Sequence, residues 1–178
     1  MIRLKINDIG QFMTLLLSDN SHAFDDYLVN RVTIATNVTY SIDGHINGDY
    51  YTKEELDALA DDAGKTGQDS LPGMIRWGEL KSRCYSVIKG KKVPLSFKFE
   101  LYLSPEDTDG FLKDYDITDL TKNDIAGLAL NIRYDSAGLY ATAAASLKIF
   151  TADRSVGQNW DKAVISFFNR LGISFDEE

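Results

Sequence analysis

The chain reads as an α+β protein, an antiparallel or mixed β-sheet with about five helices packed against it, and three observations point there. Within residues 74–103 the hydrophobic period switches from helix to strand. Trp77, Leu80, Cys84, Val87 and Ile88 recur at spacings of three and four, whereas Leu95, Phe97, Phe99, Leu101 and Leu103 alternate with polar residues and Tyr102. Asp43-Gly44 and Asp135-Ser136-Ala137-Gly138 are turn sequences between β-rich segments, so strands group into hairpins. Near the C-terminus, Trp160, Val164, Phe167, Phe168 and Leu171 share one helical face. Hairpins interrupted by helices favour an antiparallel or mixed sheet over strict βαβ alternation.

Each element has its own local cause. Residues 1–6 alternate as a short strand, and Asp8 with Gln11 resembles a capping box that opens a helix over 8–18. Phe24 and Tyr27 are the apolar anchors of an otherwise polar segment. Residues 28–42, rich in Val, Thr, Ile and Tyr, predict one long strand that turns at Asp43-Gly44 and returns over residues 45–51. Thr52 and Glu55 form a second capping box ahead of a helix over 52–62, and the Gly-rich residues 61–73 follow as a surface loop. The helix predicted over 74–89 ends with Gly90 in the left-handed position and with lysines where the helix dipole favours cations.

Ser104-Pro105-Glu106-Asp107 supplies a cap, a first-turn proline and dipole-matched acids for a helix over 104–115. Leu128, Leu130, Ile132 and Tyr134 alternate as a strand, and residues 139–150 return beside them. The Ala-rich centre of that return suits a helix equally, but a hairpin is the simpler geometry. A helix over 157–171 then ends at Gly172.

At 178 residues, 44% hydrophobic and 26% charged, the chain fits one ordinary globular domain, residues 1–178. A net charge of −8 argues against general attraction to nucleic acid or to an anionic membrane. Residues 74–103 are the exception: seven Lys or Arg against two Glu give +5, leaving −13 for the rest. The single cysteine, Cys84, excludes an intrachain disulfide and a multi-cysteine metal site. No apolar run reaches the ~18 residues of a membrane span, and residues 1–6 alternate instead of forming a signal-peptide core. A cytoplasmic protein without membrane association is expected, and the sequon at Asn37 is then a chance match.

Most catalytic motifs fail on inspection. Asp43, Asn47, Gly48, Asp49 and Glu54 fall at EF-hand loop positions, but His45 occupies a ligand position and β-branched residues precede the loop where a helix is required. A hairpin followed by a capped helix explains the segment better, with calcium as the alternative. Gly64-Lys65-Thr66 lacks the upstream glycine of a phosphate-binding loop, since Leu59 stands there. Neither His22 nor His45 has metal-helix spacing, and there is no Gly-x-Ser-x-Gly elbow. No cofactor is expected.

What remains is a basic patch of Arg76, Arg83, Lys89, Lys91 and Lys92. Its bland reading is helix-end neutralisation and pairing with the chain's acids. Its functional reading is an anionic ligand or protein partner, with nucleic acid not favoured. A non-enzymatic binding or interaction module is therefore expected. The alternatives are an enzyme whose site gathers distant Asp, His and Tyr residues, and a calcium-stabilised domain.

The run from Trp77 to Phe99, above all Ile88-Lys89-Gly90-Lys91-Lys92-Val93-Pro94-Leu95-Ser96-Phe97, resembles the central signature of a family of unknown function, DUF5721. Asn131-Ile132-Arg133-Tyr134 and residues 146–151 are similar to it as well. The resemblance implies an intracellular protein of gut Clostridia, spans nearly the whole chain, and brings no activity, cofactor or catalytic residue with it. More weakly, residues 1–18, 28–51, 74–89, 93–103 and 126–150 can be laid over the element order of a DNA sliding-clamp domain, an analogy of fold alone.

Overall fold

A computed structural model describes residues 1–57, 73–151 and 153–178. In chain order the elements are β1 (Ile2–Ile6), α1 (Ile9–Leu17), β2 (Leu28–Ala35), β3 (Thr39–Asp43), α2 (described over 53–57) and α3 (Trp77–Ile88). There follow β4 (Ser96–Tyr102), α4 (Pro105–Asp114), β5 (Ile125–Asp135), β6 (Gly138–Leu147), α5 (Ser155–Arg170) and β7 (Phe175–Glu177). The strands form one open antiparallel sheet in the order β3-β2-β4-β5-β6-β1-β7. The α+β class is thus observed, and its sheet is antiparallel throughout. A sliding-clamp arrangement is not established by this topology.

Register decides what the sheet buries. Phe97, Phe99 and Leu101 of β4 lie opposite Tyr134, Ile132 and Leu130 of β5, and Ile132 lies opposite Ala141 of β6. That face carries the core, beneath α1, α3 and α5. Trp77 of α3 packs on Phe99 with ring centroids 5.1 Å apart, and Phe12 of α1 meets Phe168 of α5 edge-on at 5.7 Å. Trp160 of α5 donates its indole N–H to the Ala129 carbonyl at 2.9 Å. The opposite face is polar and self-neutralising. Arg133 pairs with Asp135 at 3.0 Å, Lys98 with Glu100, and Arg3 lies over the Tyr140 ring. Alternation with a period of two produces both faces from the same strands.

The caps follow the local sequence. Asp8 accepts the Gln11 amide at 2.8 Å, but the Gln11 side chain reaches the Gly172 carbonyl, so only half of that capping box forms. Thr52 and Glu55 complete both halves of theirs. Ser104 accepts from the Asp107 amide at 3.0 Å. Gly172, with φ +67°, ends α5 as expected.

Several expectations need correction. The long strand over 28–42 is two strands, turned at residues 36–38, where the Thr36 amide donates to the Val38 carbonyl at 2.8 Å. Asp43-Gly44 is not the hairpin turn. A Cβ on Gly44 would lie 1.8 Å from the Val29 carbonyl oxygen, so this glycine permits a close backbone crossing. Its amide donates to Asn30 and its carbonyl accepts from Ile75. The returning strand over 45–51 reduces to an isolated bridge, His45 with Met74, and a 3-10 turn over Gly48–Tyr50.

The helix predicted from residue 74 begins at Trp77, because Met74 and Arg76 are held in β-bridges. Gly90 is not left-handed; α3 stops when Lys89 turns extended, at φ −64° and ψ 127°. Leu95 lies outside β4 and is 74% exposed. Strand β6 ends at Leu147, leaving Phe150 in solvent, and β7 was not legible at all. The loop over 61–73, the end of the helix over 52–62, and Gly64-Lys65-Thr66 lie in whole or in large part outside the described residues. Among the described residues, no helix is long and apolar enough to cross a membrane.

Candidate binding site

Helices α1 and α3 do not close fully over the sheet. Between them runs a cleft of about 570 Å³, a volume usual for small-molecule sites. Its floor is the ring pair of Phe97 and Tyr134, stacked at 5.1 Å and 19° between planes, from neighbouring strands β4 and β5. One wall is Ile9, Met13 and Leu17, which helical spacing places on a single side of α1. The other wall is Tyr85 and Ile88 of α3, with Val93 and Pro94 at the end. Ile9, Tyr85 and Val93 are 38%, 48% and 78% exposed, so large apolar groups face water here.

The basic turn borders this cleft. Ile88 and Val93 both line it, and they bracket the segment that carries Lys89, Lys91 and Lys92. All three lysines are exposed, and the Lys89 ammonium lies 5.5 Å from the ring centroid of Tyr85 on the groove wall. Arg76 and Arg83 are placed differently. Arg76 precedes α3, roughly 20 Å from Lys89 along the helix axis at 1.5 Å per residue, and binds Asp26 at 2.9 Å. Arg83 donates to the Glu79 carbonyl at 3.5 Å. The five cations therefore form a lysine cluster at one end of α3 and two arginines already engaged elsewhere.

A further cation, counted in the charge of the same stretch but not assigned to the patch, has a structural place that the sequence did not show. Lys81, on the apolar face of α3, is only 4% exposed. Its Nζ donates to Asp25 Oδ1 at 2.6 Å and to the Ser21 carbonyl at 2.5 Å. Ser82 donates its hydroxyl to Asp19 at 2.6 Å, and the Trp77 indole donates to the Leu16 carbonyl at 2.7 Å. These contacts pin residues 16–25 to α3 and so fix the polar end of the groove, where Ser18, Asp19 and Asn20 lie. The one available signal was Lys81 itself, one residue after Leu80 and three before Cys84 on a face otherwise apolar.

Both histidines sit against carboxylates. His22 Nδ1 donates to Asp25 Oδ2 at 2.7 Å, and His45 Nδ1 donates to Asp43 Oδ1 at 2.6 Å. Burial pushes Asp25 up, but hydrogen bonds from Lys81 and His22 outweigh it and leave the carboxyl below its usual range. The His45 backbone and ring hold Asp43 low in the same way. Each aspartate is thus kept ionised and orients its imidazole. His45 also opens on a second, more polar cleft of about 560 Å³ shared with Asn30, Lys122 and Lys148.

The EF-hand positions do not share one loop setting. Asp43 ends β3, Asn47 precedes the 3-10 turn that holds Asp49, and Glu54 lies in α2. The segment entering this loop is a strand, and among the described residues no three His, Cys, Asp or Glu side chains converge to hold a metal.

No curated protein and no solved structure matches the chain. A family match does, and it runs from the end of α1 through α5 into β7, taking in most of the groove, the lysine turn and the buried Lys81. Over residues 15–176 the chain matches the family of unknown function DUF5721, and it belongs to that family.

Proposed function

We propose that this chain is a non-enzymatic binding module that takes an anionic ligand or partner where Lys89, Lys91 and Lys92 border the α1–α3 groove. The observation that carries the reading is the adjacency of that turn to the large apolar cleft, with Ile88 and Val93 shared between them. Apolar contact supplies affinity there, and the cations supply orientation and steering in a molecule of net charge −8. Arg76, paired with Asp26, and Arg83, bonded to the Glu79 carbonyl, take no direct part at that end of the helix. The same reading puts the module in the cytoplasm, a proposal with which a single free thiol is compatible.

The test is a titration of labelled protein with anions from sulfate to oligoglutamate, followed by amide chemical shifts. Shifts at residues 89–92 that fade with salt and vanish in the Lys89→Ala/Lys91→Ala/Lys92→Ala variant are expected. A response that is the same in protein and variant would refute the reading.

An enzymatic reading has one observation in its favour, the hydrogen bond of His45, which lines the polar cleft, to Asp43. Substrate turnover lost in His45→Ala, with the fold intact, would displace the binding reading. A calcium-stabilised domain would show itself by a melting temperature raised with calcium and lowered with chelator.

A further inference from the structure

We infer that the α1–α3 groove seats a single-tailed alkyl carboxylate, its chain along the Phe97–Tyr134 floor and its carboxylate at the Lys89–Lys92 turn. The inference rests on the binding reading above and names the ligand class.

The groove is polarised along its length. At one end Asp19 lines the wall, with one carboxylate oxygen taken by the Ser82 hydroxyl. From Ser82 to Lys89 is seven residues, roughly 10 Å along α3, and there the lysines begin. A ligand carrying one negative charge at one end matches this field. A segment with acids along its whole length does not, because one of them would meet Asp19.

The middle of the groove is apolar. Between the two ends the cavity offers aromatic floor and aliphatic wall, and the Thr14 hydroxyl is already spent on the Gly10 carbonyl at 2.9 Å. Hydrogen-bonding edges such as those of a nucleobase would find few partners, whereas methylenes lose nothing by entering. Met13 supplies an adaptable thioether wall that can follow an unbranched chain. Tyr85 stands at the junction, with its ring on the groove and its face toward the Lys89 ammonium. It couples the apolar seat to the cationic rim.

The probe is dodecanoate below its micelle concentration, measured by calorimetry and amide shifts against acetate and dodecan-1-ol. Dodecanoate is expected to bind and acetate to leave the groove unperturbed. Tyr85→Glu sets a carboxylate on the wall at a side chain already half exposed, so folding is preserved. It should weaken dodecanoate at least about tenfold, as should the triple lysine variant.

If dodecanoate fails to bind while anion shifts at residues 89–92 persist, the ligand class is wrong and the anionic reading stands. If dodecanoate binds equally well to Tyr85→Glu, the seat is elsewhere and the inference falls. If dodecan-1-ol binds as tightly and the lysine variant is unaffected, charge has no role, and the inference and the anionic reading fall together.

Discussion

Lys81 Nζ lies 2.6 Å from Asp25 Oδ1, and Lys81 is the only buried charged residue among the described ones. The pair joins α3 to the segment that leads out of α1, so it holds the two helices whose separation defines the groove. Desolvating an ammonium is tolerable here because Asp25 and the Ser21 carbonyl both accept from it.

Removing one partner should therefore cost more than removing both. Lys81→Met leaves Asp25 without its main donor and is expected to lower stability by roughly 2–3 kcal/mol, under the usual cost of a broken buried pair since the Asp25 side chain keeps 23% exposure. Lys81→Met/Asp25→Leu should recover most of that loss. Urea midpoints of the two variants check it, and a double variant no better than the single would contradict it.

The same aspartate sets an acid limit. Its carboxyl titrates lower in the folded chain than in the unfolded one, so its stabilising contribution is complete above the unfolded value, about 3.9. That contribution fades as pH falls through the lower folded value. Asp25→Asn should be less stable than the parent at pH 7, and the two stability curves should converge in acid. Parallel curves down to pH 2.5 would remove Asp25 from the acid transition.

Two glycines make opposite predictions. Gly44→Ala forces a methyl against the Val29 carbonyl and should cost about 3 kcal/mol or more, with loss of the backbone bond to Ile75. Gly110 lies inside α4 with open space around its missing Cβ, so Gly110→Ala should stabilise by roughly 0.5–1 kcal/mol. Thermal melts of both variants decide the matter.

Cys84 is fully buried, and burial pushes its thiol up to about 12. At pH 8 a disulfide reagent should not modify the native chain, and modification should appear with unfolding in urea. Rapid labelling of the folded protein would show that α3 opens from the sheet.

The groove was only partly legible beforehand. The helix over 8–18 was readable from its cap, and Phe97 and Tyr134 as alternating strand positions, because each follows a local pattern. That α1 and α3 leave a gap over those two rings depends on helix placement, which no local period encodes. The lysine turn was visible as charge, whereas the engagement of Arg76 with Asp26 spans fifty residues of chain. The hairpin was misplaced for a similar reason. Asp43-Gly44 has the composition of a turn, but its glycine is required by the Val29 backbone crossing above it.

The amino-acid order by itself determined the α+β class, the helix caps at Asp8, Thr52 and Ser104, and the inward set of β4, since each arises between residues only a few positions apart. Only the tertiary structure decided that a 178-residue chain ends in β7 beside β1, that Lys81 is buried with Asp25, and that an apolar groove meets a cationic turn. Those outcomes come from long-range packing, where burial of apolar area and compensation of charge are settled between segments whose separation in sequence carries no periodic trace.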